Sequence, residues 1–207
     1  MELSVALHHD SLAAPAAGVD AEDERVLEQG WIQRAVEGDA RAFRAIVERH
    51  HHGLFRLALR MLGDRAEAED AVQEAFARAY KRLEHFDPSY RLSTWLYRIA
   101  LNICRDHLKS PRRKERPRGL EAMPLSERTD DTQRADQRLE RARMAHRLAG
   151  CLEQLSSSYR EAVVLKDLEE LSYQEMKEIT GAPVTALKIR VVRARAKLRA
   201  LLEEEPS

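Results

Sequence analysis

The stretch Ser172-Tyr-Gln-Glu175-Met-Lys-Glu-Ile179-Thr-Gly181-Ala-Pro183, running on into Val184-Thr-Ala-Leu187-Lys-Ile-Arg190-Val-Val-Arg-Ala-Arg195, decides how the chain is read. Ser172 with Glu175 three positions on is a capping box, so a short helix opens there. Gly181 can take the left-handed conformation that stops it. Pro183 stands where a missing N–H is no loss, at the start of a new helix. A short helix, a Gly turn and a longer helix form a helix-turn-helix. At ~100° per residue, Val184, Leu187, Val191, Ala194 and Leu198 share one stripe, which predicts packing against the preceding helices. The remaining surface carries Lys188, Arg190, Arg193, Arg195, Lys197 and Arg199 and no acid. Ile189, Val192 and Ala196 lie between those cations. Small apolar groups among Arg and Lys suit a major groove, where thymine methyls and phosphates are both available. A basic run alone is more often a solvated helix face. The capping, the Gly turn and the absence of acids together favour DNA.

Working outward, a helix is expected from about Leu139 to Leu155. Ser158 and Glu161 have capping-box spacing and predict another helix, to about Leu168. Upstream, residues 110–136 break helical periodicity with Pro111, Pro117, Gly119 and Pro124. That segment begins basic and turns acidic, the signature of a flexible linker. From residue 29 to 109 the pattern is helical almost throughout, and residues 1–28 read as a disordered tail. The expected architecture is all-α. Two small helical domains, 29–109 and 137–203, are joined by the linker 110–136.

Composition agrees. Charged residues make up 34% and aromatics 5% of 207 residues, with Gly sparse, which favours helix over sheet. The net charge is zero, from 35 Lys+Arg against 35 Asp+Glu. This does not exclude nucleic acid, because the distribution of charge matters more than its sum. Cys104 and Cys151 form no CxxC pair, which suits a reduced, cytoplasmic compartment. No stretch approaches the ~20 apolar residues of a membrane span, and Met1–Gly18 lacks the pattern of a signal peptide.

In the first domain, Arg65 to Leu83 predicts a helix with Ala68, Val72, Phe76 and Leu83 inward. Glu67, Asp70 and Glu74 share the opposite face, with Gln73 beside them. This is no DNA surface; it is either a solvated acidic face or a site for a basic protein partner. From Leu92 to Lys109, Leu92, Trp95, Leu96, Ile99, Ile103 and His107 form one stripe. The other side carries Arg91, Arg98, Asn102, Arg105 and Lys109. A row of bases with one Asn, bordered by an aromatic, is what single-strand recognition uses, although Trp95 reads mainly as core.

These residues resemble a known family. The run Asp70-Ala-Val-Gln-Glu-Ala-Phe76, with Ser93-Thr-Trp-Leu-Tyr-Arg-Ile-Ala-Leu-Asn102, resembles the first domain of extracytoplasmic-function sigma factors. The run Leu155 to Leu168, with Leu171-Ser-Tyr-Gln-Glu175, Gly181-Ala-Pro183 and Arg190-Val-Val-Arg-Ala-Arg195, resembles their second. The resemblance spans about Gly30 to Lys109 and Leu139 to Leu202. It implies a dissociable subunit of bacterial RNA polymerase, with core polymerase and promoter DNA as partners and an anti-sigma factor as a controlling one. It implies docking on the clamp helices of the largest polymerase subunit through Asp70, Gln73 and Glu74. It places a loop for a flipped base of the melted promoter element at Asp87, Ser89, Tyr90 and Arg91. Trp95, Arg98, Asn102, Arg105 and Lys109 fall on the melting and base-reading helix. Thr185, Lys188, Ile189, Arg190, Val192, Arg193 and Arg195 fall on the reader of the upstream, minus-thirty-five, element. Three positions depart from the pattern: Lys177 where a small Ala is usual, Thr180 in place of an aliphatic residue, and Ala186 within the segment Thr185-Ala186-Leu187. These bear on the packing of the second domain and on its preferred sequence.

Other signals carry less. His50, His51 and His52 are adjacent, point three ways on a helix, and make no compact metal site alone. No GxxxxGK[ST] occurs, and no nucleophile, base and orienter set is recognisable. Neither an enzyme nor a cofactor is expected. A stand-alone helix-turn-helix regulator is the alternative. It would want a sensor pocket where this chain has an acidic face followed by a basic, Asn-bearing helix.

Overall fold

Asp39 and Asp64 each open a helix by offering a carboxylate to otherwise unpaired backbone N–H groups. Asp39 accepts from Arg41 N at 2.9 Å and Asp64 from Glu67 N at 2.8 Å. The computed structural model describes residues 21–110 and 133–204, and every regular element among them is helical. In order these are α1 (Ala21–Val36), α2 (Ala40–Leu62), α3 (Arg65–Arg82), α4 (Leu92–Lys109), α5 (Gln133–Gln154), α6 (Ser157–Val163), α7 (Tyr173–Thr180) and α8 (Val184–Glu204). A short 3₁₀ turn, Leu83–His85, follows α3, and a π turn, Val164–Leu168, continues α6. Residues 1–20 of the expected tail and 111–132 of the expected linker lie outside the described residues.

Two expected boundaries move. The sequence predicts a tail to residue 28, but α1 begins at Ala21. Its N-terminal turns show no apolar stripe, and distant partners hold them: Arg25 reaches the loop after α3, and Glu28 reaches His50 on α2. The sequence predicts a linker to residue 136, but α5 begins at Gln133. A third expectation fails. Ser158 and Glu161 make no capping box. Ser156 precedes α6 without a side-chain cap, and Glu161 is buried with its carboxylate turned toward α4.

α2, α3 and α4 pack on one another, with α1 across α2. Leu54, Leu57, Met61, Val72, Leu96 and Leu101 are buried at their centre. In the second domain α6, α7 and α8 close around Leu165, Met176 and Val191. The two centres are continuous, because α4 packs on α7 and the end of α2 meets the π turn. The sequence predicts two tethered domains; the structure docks them.

The docking surface is built from polar hubs. Glu169 is fully buried. Its carboxylate accepts from Arg60 Nη1 at 2.5 Å and from the Tyr97 hydroxyl at 2.9 Å, and Arg56 lies 3.8 Å away. A buried carboxylate is tolerated when it is paired and hydrogen-bonded in this way. Burial, and then the Glu169 charge, push the Tyr97 hydroxyl well above its ordinary value, so it stays a neutral donor. The next residue, Glu170, sits at φ 54°, a left-handed position that a side chain rarely adopts. Arg160 is a second hub. Its guanidinium donates to Leu152 O and Glu153 O of α5 and to Met61 O of α2. It thereby ties together the C-terminal turns of two helices.

Candidate nucleic-acid interface

The helix-turn-helix forms as its sequence predicts. Ser172 Oγ accepts from Glu175 N at 3.2 Å, and the Glu175 carboxylate accepts from Ser172 N at 2.8 Å. Gly181 ends α7 at φ 75° and donates to Lys177 O. Two unusual residues are accommodated here. Lys177 is exposed and gives the turn only its carbonyl. The Thr180 hydroxyl donates to Met176 O at 2.7 Å and accepts from Ala182 N at 3.1 Å, so it braces the turn. Met176 and Ile179 are buried, so packing survives both departures.

On α8, Leu187, Val191, Ala194 and Leu198 are buried and Val184 is half-buried, as the stripe requires. Thr185, Lys188 and Arg193 are exposed, and Ile189 and Val192 are 55% and 65% exposed. Two exposed apolar side chains between cations are of a kind that suits thymine methyls. The Lys188 ammonium stands over the Tyr173 ring at 5.7 Å. Two predicted members are placed differently. Arg195 is held against Asp167 of its own domain by two-pronged hydrogen bonds, and this carboxylate raises its pKa further. Arg190 is half-buried and lines a cleft of about 430 Å³ with Arg105, Lys109, Ser157 and Ser158.

The row on α4 is on the surface, but the second domain shares it. Arg98, Asn102 and Lys109 are exposed. Arg105 makes a bidentate pair with Glu161 of α6, both contacts at 2.8 Å, and also donates to Asn102 Oδ1 at 3.0 Å. Arg91 lies 3.7 Å from the Glu175 carboxylate. Carboxylates of the second domain therefore stand where phosphates would be expected along this row. Trp95 is half-buried, its ring 5.2 Å from that of Phe86.

The loop ahead of α4 is a tight turn. Asp87 Oδ1 accepts from Ser89 N at 2.9 Å, and Asp87 O accepts from Tyr90 N at 3.1 Å. The Ser89 hydrogen bonds hold the Asp87 carboxyl below the usual carboxylate range. Ser89 and Tyr90 are exposed beside it.

The acidic face of α3 is less uniform than its sequence suggests. Asp70 and Gln73 are exposed. Glu74 pairs with Arg78 at 2.5 Å and lies 3.8 Å from His107. The three adjacent histidines diverge: His50 is buried against Glu28, His51 lies parallel to the Phe55 and Phe76 rings, and His52 is exposed.

Sequence reasoning missed Arg56, Arg60, Tyr97 and Glu169, the residues that dock the domains. A signal existed. Besides its expected stripe, α4 carries Tyr97, Ala100, Leu101 and Cys104, and a helix apolar on more than one side is buried on more than one side.

A helical domain with an acidic outer face and a basic inner row, joined to a helix-turn-helix, defines a two-part, all-helical DNA-binding protein. The patterns described as sigma-70 region 2 and sigma-70 region 4 match residues 46–114 and 145–198. The chain is 35% identical over 182 residues to the ECF RNA polymerase sigma factor SigW of Bacillus subtilis, covering 84% of this chain and 95% of that one. It is 30% identical over 173 residues to the RNA polymerase sigma-H factor of Pseudomonas aeruginosa, covering 81% and 90%. Among solved structures it is similar to CnrH in complex with the cytosolic domain of CnrY. There the TM-score is 0.64 at 30% identity, over 87% of this chain and 99% of that one. The fold also matches the sigma factor RpoE, in complex with the anti-sigma factor NepR, from Bartonella quintana, with TM-score 0.63 at 22% identity, covering 79% and 98%. The chain belongs to the extracytoplasmic-function sigma factors, the dissociable subunits that direct RNA polymerase to promoters.

Proposed function

We propose that the two domains divide initiation between them as the side chains divide. Asp70 and Gln73, exposed on α3, with Glu74 beside them, dock on the clamp helices of the largest polymerase subunit. Asp87, Ser89, Tyr90 and Arg91 take a flipped base. Trp95, Arg98, Asn102, Arg105 and Lys109 follow the melted strand. Thr185, Lys188, Ile189, Arg190, Val192 and Arg193 read the duplex upstream element, and Arg195 orients α8 through Asp167. The first domain takes in α1 and runs from about residue 21 to 109, and the second begins with α5 at Gln133. The chain acts in the cytoplasm, by binding and without a catalytic step of its own. An anti-sigma factor is a fitting controller, since CnrH is solved with CnrY and RpoE with NepR.

The observation that carries this reading is the outer face of α8: two apolar side chains more than half exposed, flanked by cations, beyond a fully capped turn. The docked arrangement adds a condition. Arg91 and Arg105 must leave Glu175 and Glu161 before α4 can follow a strand, so promoter binding requires the domains to part.

Run-off transcription with core polymerase, with and without this chain, tests the reading. Promoter-dependent transcripts are expected only with the chain, and their loss on Asp70→Lys with the fold intact supports the docking face. Tight, sequence-specific duplex binding by the free chain at physiological salt, with no effect on core polymerase, would instead mark a stand-alone regulator.

A further inference from the structure

The turn at Asp87–Arg91 sets its own shape, but its internal hydrogen bonds do not set where it stands. On its inner side, Phe86 meets Trp95. On its outer side the contact comes from α1, a helix that lies before the matched region 46–114. Arg25 Nη2 donates to Pro88 O and to Ser89 O, both at 3.3 Å. α1 is itself seated. Ala35 is buried, Trp31 and Ile32 pack against the core, and Glu28 Oε1 lies 2.9 Å from His50 Nε2. α1 also packs on the 3₁₀ turn that leads into the loop.

We propose that α1 braces the Asp87–Arg91 loop, and that Arg25 is a positioning residue for capture of the melted-strand base. The inference rests on the reading of that loop given above. Each contact is long and exposed, so Arg25 adds little to global stability. Its effect is on placement. A loop held at two carbonyls from one side and by an aromatic pair from the other loses less freedom when a base enters. Preorganisation of this kind is returned as affinity and discrimination. Because a single nitrogen makes both contacts, an ammonium can take over part of the role.

The test uses holoenzyme reconstituted with core polymerase and a promoter library in which each base of the melted element is varied. Arg25→Ala should cut discrimination at the captured base three- to tenfold, leave the salt dependence of binding unchanged, and leave the unfolding midpoint nearly unchanged. Arg25→Lys should restore part of the discrimination. Glu28→Ala, which loosens α1 without touching the loop, should shift discrimination in the same direction. A uniform loss across all sequences with a flatter salt dependence would make Arg25 a phosphate contact and overturn the proposal. A fall in the unfolding midpoint without loss of discrimination would make it merely structural and overturn the proposal equally. Tyr90→Ala separates the two levels. If it lowers discrimination and Arg25→Ala does not, the brace alone is wrong. If neither does, the loop reading falls and the brace with it.

Discussion

The two candidate DNA surfaces are alike on paper and differ in three dimensions. Each is a row of cations on one side of an amphipathic helix. On α8 the row faces outward, and its apolar members Ile189 and Val192 are more than half exposed. On α4 the second domain shares the row: Arg98, Asn102 and Lys109 are exposed, but Arg105 and Arg91 meet Glu161 and Glu175. The difference is one of availability. A cation free in solution meets DNA at the cost of its own hydration. A cation already paired must first lose a carboxylate, so its contribution appears only after the domains part. The surface we propose for the melted strand is thus the one this arrangement withholds.

The largest effect should come from removing what holds the arrangement closed. Glu169→Ala leaves Arg56 and Arg60 facing a buried gap, which costs about 3–5 kcal/mol if the interface stays shut. Separation of the domains returns both guanidinium groups to water, so opening is the expected result. Labels on exposed Glu48 and Arg199 should move apart, while the helical content persists. If the distance and unfolding midpoint are both unchanged, Glu169 does not hold the closure, and the contrast between the surfaces needs another cause.

Asn102 sharpens the comparison within α4. It is the neutral member of the row, with paired amide donor and acceptor groups suited to a base edge. Asn102→Ala should cost about 1–3 kcal/mol of discrimination at one melted position. Arg98→Ala should weaken all sequences alike and flatten the salt dependence. Transcription from the same promoter library measures both. Equal loss at every sequence for Asn102→Ala would assign the residue to structure or phosphate.

Glu161→Gln should have a smaller effect, confined to one surface. It weakens a partly buried, charge-assisted pair with Arg105 by about 1 kcal/mol, or roughly fivefold. The free chain should bind single-stranded melted-element DNA more tightly by that factor, with duplex binding through α8 unchanged. A gain on both surfaces would show that the substitution opens the whole interface, and would erase the distinction. The smallest effect belongs to Glu170→Gly, which relieves the left-handed backbone at φ 54° and should raise stability by no more than ~1 kcal/mol. Denaturant unfolding measures it; a loss would show that the Glu170 side chain makes a compensating contact.

Local chemistry carried much of the molecule into the sequence. The helix-turn-helix was legible because each of its devices acts within four residues: Ser172 on Glu175, Gly181 on Lys177, and Leu187 and Val191 on one helix face. The acids and the Asn-bearing row were legible for the same reason, since helical periodicity alone sorts them. The same local logic misread Ser158 and Glu161. Their spacing fits a capping box, but Glu161 finds a guanidinium from a different helix, and a charged partner outcompetes a backbone N–H.

Tertiary structure decided the rest. That Arg105 and Arg195 are engaged, that Tyr97 and Glu169 join the domains, and that Arg25 reaches the loop are pairings across 28 to 72 residues of chain. No periodicity records such a pairing, because each partner alone looks like an ordinary surface charge or core aromatic. The sequence by itself determined that this chain is helical and carries a helix-turn-helix with a cation-rich outer face, for those follow from contacts between near neighbours. Which of its cations are free to read DNA depends on distant carboxylates, and their position is set only when the two cores pack.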